Sequence, residues 1–197
     1  MGATAFEDKT PTRLRSYTLR GEPNVDATII QAALATSAAT SFFKPVTIGA
    51  GRYVDGALGS NNPIWQVWDE AQSIWSRIDG EIEPKIKCIV SIGTGNPGAS
   101  SVGENVKDVF KALTNIVTET EVTAEDFAAH HRGLLHKTRY FRYNVEQGLQ
   151  AVGLEEYQKQ AEIEAATRTY LKSQTQKFNI MNCANNLSMK YCMENFS

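Results

Sequence analysis

An α/β layered fold is predicted by three features of the 197-residue sequence: one near-continuous apolar strand, KIKCIVSI (85–92), two stretches with helical periodicity flanking it, and short strand-like runs elsewhere that alternate with helices. A run such as KIKCIVSI is the mark of a strand covered on both faces. With 42% hydrophobic residues, the chain is globular in composition and has the length of one ordinary domain.

Taken in order, RLRSYTL (13–19) alternates as a strand does. Asn24 or Asp26 is placed to cap a helix through ATIIQAALATSAA (27–39), whose small side chains suit close packing on a sheet. PVTIGAGRYVDGA then offers two short apolar runs around a glycine turn, a hairpin pattern. Pro63 opens a helix with a stripe at Ile64, Val67, Trp68, Ala71, Ile74 and Ile78, expected to be buried. Core packing is likewise the expectation for Trp65, Trp68 and Trp75. The Gly-rich loop GTGNPG leaves the end of KIKCIVSI. A helical pattern from about Val102 to His131 follows, with a break expected among the β-branched and acidic residues 118–123. TRYFRYNV (138–145) reads as a strand and LEEYQKQAEIEAATRTYLKSQ as a charged amphipathic helix with a solvated polar face. The expected domain ends at residue 178, and residues 179–197 are expected to form an irregular tail.

Charge excludes some functions. Twenty basic against 22 acidic residues leave a net charge of -2, which provides no long-range attraction to nucleic acid or anionic lipid. No apolar run reaches the length of a transmembrane helix, and the N-terminus carries no signal-peptide pattern. The expected protein is soluble and cytoplasmic, with peripheral membrane association left open. Cys88, Cys183 and Cys192 lack metal or redox spacing and are expected to be reduced structural thiols. The sequon Asn186-Leu187-Ser188 is expected to be a polar loop. His130, His131 and His136 miss the i, i+4 spacing of helical metal ligands and are expected at the surface, so no metal or cofactor is assigned. GTGNPG fits G-x-G-x-x-G, yet Pro97 delays any helix that would meet a pyrophosphate. A shaped turn is the preferred interpretation, and a dinucleotide site the weak alternative.

Asp55 stands apart. It follows a short apolar run and precedes Gly56, at a strand end where α/β folds place active sites. Tyr53 and Val54 are expected to desolvate it and move its pKa toward that of a general base.

Taken together, ATSAATSFFKP, YVDGALGSNNP and VSIGTG, in this order and spacing, resemble the C-terminal half of a patatin-like phospholipase domain, over about residues 10 to 175. The similarity is greatest to patatin domains of fungal multidomain proteins. It implies an incomplete patatin-like layered sheet flanked by helices, and a Ser-Asp dyad that hydrolyses lipid esters without cofactor or metal. The family's D-G-[GA] motif lands on Asp55, Gly56 and Ala57, which makes Asp55 the implied base. No serine lies in the family's G-x-S-x-G elbow, and its D-G-G-G-x-R-G oxyanion loop is absent. The chain is therefore expected to lack the nucleophile half, as a truncated enzyme or an inactive interaction module. Its implied partners are a lipid ester in the complete domain and the missing N-terminal half. On this expectation the isolated chain self-associates or packs loosely, because the apolar strand 85–92 has lost neighbours. Size-exclusion chromatography and thermal unfolding check this; a monodisperse monomer with a sharp transition overturns it.

Overall fold

The computed structural model describes residues 1–40, 42–76, 81–96, 107–149, 152 and 157–189, with side chains 58–59, 107–118 and 157 left aside. Ile78, Pro97, Gly98, Val102 and Cys192 lie outside the described residues. The mixed α/β chain divides into two compact units, Met1–Gly80 and Glu81–Ser197.

The first unit is built on a four-stranded antiparallel sheet of order β2-β1-β4-β3: β1 Gly2–Ala5, β2 Pro11–Arg13, β3 Val46–Ile48 and β4 Gly51–Asp55. The β3–β4 pair is the expected hairpin. Gly49 takes φ +60° in its turn, a backbone state that suits a residue without a Cβ. Strand β1 was not anticipated, and it is central: Ala3 pairs with Thr12 on one side and with Asp55 on the other.

Helix α1, Ile29–Thr36, lies on this sheet by its small face. Ala32 and Ala35 are buried with Ala3, Leu14 and Ile48, while Ile29, Ile30 and Leu34 face outward. Its cap is Thr28, rather than Asn24 or Asp26. The Thr28 hydroxyl accepts from the Gln31 N–H, and the Gln31 side chain accepts from the Thr28 N–H in return. After the four-residue α2 (Ala57–Ser60), Pro63 precedes α3, Ile64–Trp75, as expected. Only part of the α3 stripe is buried. Ile64 and Trp68 are covered, Trp65 is half-buried, and Val67, Ile74 and Trp75 remain exposed because they border an open cavity.

The second unit holds β5 Ile89–Ile92 and β6 Tyr140–Tyr143, a parallel pair in register from Ile89↔Tyr140 to Ile92↔Tyr143. Strand β5 is shorter than KIKCIVSI, whose first residue, Lys85, ends a 3-10 turn at Glu83–Lys85. Nor is it covered on both faces. Ser91 on one face is buried, whereas Val90 and Ile92 on the other are 39% and 77% exposed.

Helix α4, Lys107–His130, runs unbroken through residues 118–123. Thr123 returns its hydroxyl to the Glu119 carbonyl at 2.7 Å, so the β-branched residue is accommodated inside the helix. Helix α5 spans Arg132–His136, and His131 between the two helices is not a surface residue. The chain bends there and lays its ring on Phe127, one turn earlier, at 4.5 Å between centroids, leaving 13% of the side chain exposed. Burial lowers the His131 pKa against the opposing pull of Glu83.

The charged helix is α6, Gln160–Lys172. The tail expected to be irregular after Phe178 instead continues a second helix, α7, Gln174–Ser188. Ser173 supplies the start signal, its hydroxyl accepting from the Gln176 N–H. The sequon residue Asn186 therefore sits on a helix, with its amide donating to the Thr138 carbonyl at 2.7 Å.

Phe127 is fully buried between His131 and Tyr140, whose ring lies 5.3 Å away. Truncating Phe127→Ala is expected to cost about 3–5 kcal/mol. Urea unfolding followed by Tyr and Trp fluorescence checks the loss.

Candidate active site

Asp55 closes β4, where register against Ala3 fixes its backbone. Two hydrogen bonds then define its position. The Asp55 N–H donates to the Ala38 carbonyl at 3.0 Å, which joins the segment after α1 to the acid. The Asp55 Oδ1 accepts from the Ala57 N–H at 2.9 Å, turning the chain into α2. ATSAATSFFKP and YVDGALGSNNP, separate in sequence, thus meet at one backbone contact.

Gly56 is required by crowding. A Cβ there would lie 2.9 Å from the Gly2 carbonyl oxygen, a backbone atom that cannot swing aside. Thr36 also reaches this carbonyl, its hydroxyl donating at 2.5 Å. The Gly2 and Ala38 carbonyls were not legible as parts of the site, because both are backbone atoms brought in by non-local pairing.

The environment of Asp55 differs from the expected one. Val54 is fully buried, but alternation along β4 sends it to the opposite face of the sheet. Tyr53 shares the Asp55 face and packs against the core of Ala3, Ala32, Ala35 and Ile48. Asp55 itself is half-buried.

Beside β1 lies a largely apolar cavity of about 560 Å³, walled by Ala3, Leu14, Ala32, Val67 and Ala71 among others. Its polar edge comes from RLRSYTL. Only Arg13 of that run belongs to a strand, yet the expected alternation persists in the directions of Arg13, Arg15 and Tyr17, which all converge on Glu70 of α3. Arg15 donates to Glu70 through Nε and, at 2.8 Å, through Nη2, while the Tyr17 hydroxyl donates at 2.9 Å. The guanidinium of Arg15 is the main reason the Glu70 pKa falls to about 2.

The rival Gly-rich loop is already engaged by its own unit. Gly93 N–H donates to the Tyr143 carbonyl at 2.8 Å, Asn96 N–H to the Val145 carbonyl at 2.7 Å, and Gly95 N–H to the Asn144 side chain at 2.7 Å. Those amides do not face a phosphate. Asn144 is oriented in turn by Glu121, which also accepts from Arg142 at 2.6 Å. Gly95 adopts φ +97°, the shaped turn favoured from sequence. Among the described residues, no cluster of three His, Cys, Asp or Glu side chains could hold a metal ion. No described helix is long and apolar enough to cross a membrane.

The Glu70 cluster makes stability depend on acid. Its folded pKa of about 2 lies below the ordinary 4.5, so its contribution is present above about pH 4.5 and is lost as pH falls toward 2. Glu70→Gln is expected to lower the thermal midpoint at neutral pH and to flatten its fall on acidification. Melting curves across this range check both.

A family match falls within the first unit, and matches to individual proteins run over more residues than that unit holds. A family model described as patatin-like phospholipase matches residues 3–68. Calcium-independent phospholipase A2-gamma of Mus musculus is 30% identical over 114 residues, 58% of this chain and 14% of that protein; the Rattus norvegicus protein matches to the same extent. Phospholipase A I of Arabidopsis thaliana is 28% identical over 152 residues, 75% of this chain and 11% of that protein. The chain thus spans about a seventh or less of the length of these relatives. No solved structure matches. Residues 3–68, which contain Asp55, Gly56, Ala57 and the Ala38 carbonyl that meets them, are similar to patatin-like phospholipases.

Proposed function

We propose that this chain is the acid-bearing, C-terminal half of a patatin-type serine acyl hydrolase acting on lipid esters, with closest affinity to the fungal type. The observation that carries this reading is the placement of Asp55. Its carboxylate stands at the end of β4, hydrogen-bonded to the Ala57 N–H, inside the stretch that matches the family model. The phospholipase names of the relatives support a lipid ester as substrate.

In the proposed reaction a serine hydroxyl attacks the ester carbonyl while Asp55 takes its proton. Asp55 gives that proton to the departing lipid alkoxide as the acyl-enzyme forms; water then passes a proton to Asp55, attacks the acyl-enzyme and releases the fatty acid, and the proton returns to the serine oxygen. The carboxylate must keep a lone pair for that proton. Its bond to the Ala57 N–H occupies Oδ1 and steadies the group without neutralising it. Gly56 keeps the turn narrow beside the Gly2 carbonyl, which fixes where the carboxylate stands. No serine of the 197 lies in G-x-S-x-G, and in this proposal both nucleophile and oxyanion loop come from a preceding half-domain.

Accordingly, the 197-residue chain alone is expected to show no hydrolysis of a nitrophenyl acyl ester above a blank. In a domain completed with a G-x-S-x-G half, Asp55→Asn is expected to lower kcat by about 10²–10⁴-fold. Circular dichroism of the variant should match that of the parent. Near-parental turnover by a folded Asp55→Asn domain would overturn the base assignment.

A further inference from the structure

Cys88, just ahead of β5, and Cys183, on α7, bring their sulfurs to 3.8 Å across 95 positions of sequence. Both are free thiols; Cys88 is half-buried and Cys183 is buried, at 7% exposure. Their surroundings hold the two elements together independently of sulfur. Lys87 donates to the Met189 carbonyl at the end of α7, and Asn186 of α7 donates to the Thr138 carbonyl. The pair is therefore positioned by the fold and does not depend on a bond between the sulfurs.

We propose that Cys88 and Cys183 form a built site for a reversible intramolecular disulfide, made by exchange with a low-molecular-weight disulfide such as oxidised glutathione. From their 3.8 Å separation the sulfurs need to close to about 2.05 Å. Cys88, the more accessible of the two, attacks the small disulfide as its thiolate; one glutathione leaves and a mixed disulfide remains on Cys88. Cys183 then attacks the Cys88 sulfur and expels the second glutathione. One protein S–S bond forms, one glutathione S–S bond breaks, and both thiol protons end on the released glutathiones. The protein loses two electrons to the small disulfide. Exchange is slow at neutral pH, because burial and the neighbouring Cys183 sulfur raise the Cys88 pKa. Tyr143 on β6 lies against the same sulfurs, with its own pKa raised chiefly by burial. The product adds a covalent tie between α7 and the approach of β5 to the hydrogen bond from Lys87 to the Met189 carbonyl.

The test is oxidation of the full chain by oxidised glutathione in mildly alkaline native buffer, with the same reaction in urea. Intact mass should fall by two hydrogens, and peptide mapping should find Cys88 joined to Cys183, with reversal by dithiothreitol. Cys192→Ser should form this link at an unchanged rate, and Cys183→Ser should instead retain one glutathione on Cys88. In urea the linkages should spread over all three cysteines. Hydrogen exchange of α7 should slow after native oxidation. Separate glutathione adducts on the native chain, a link to Cys192, or the same mixture of linkages with and without urea would each overturn the proposal.

Discussion

The approach of Gly56 to the Gly2 carbonyl constrains the whole first unit. It allows β1 to run beside β4 up to the last residue of that strand, so that Ala3 pairs with Asp55. From that seam the rest follows. Strand β2 adds to the outer side of β1, α1 settles its alanines over Ala3, and Thr36 donates to the carbonyl that excludes a side chain from Gly56. The Asp55 carboxylate is thus held by sheet register and turn geometry together.

The second unit is organised by charge. Glu121 accepts from both Arg142 and Asn144, and Arg142 also donates to the buried Ser91 on the neighbouring strand. One carboxylate therefore ties α4 to β6 and, through Asn144, to the backbone of the loop after β5. This explains why α4 stays helical where its local sequence invites a break. Tertiary partners outweigh a few tenths of a kcal/mol of propensity per residue.

What was legible in the sequence was local. The β3–β4 hairpin and the start of α3 at Pro63 rest on turn chemistry carried within a few residues. The motif at Asp55–Ala57 could be named from sequence, but its surroundings could not, since the Gly2 and Ala38 carbonyls arrive from distant strands and loops. Strand β1 carries little local signal because Ala3 and Thr4 are small and show no large alternating side chains; pairing on both sides makes it a strand. Helix α7 was hidden by an asparagine-rich stretch of weak helical propensity, and its signal was the single capping residue Ser173.

Helix α1 meets the sheet through small residues. Ala32 and Ala35 face the sheet, while Ile29, Ile30 and Leu34 face outward together with Ala33. Depth of packing, and not aversion to water, selects which side of the helix touches the strands. The same distinction assigns different freedoms to neighbours in sequence: at Ala32 and Ala35 evolution is confined by space, whereas at Ile29 and Ile30 the bulk of the side chain is free to change without moving the sheet beneath the acid.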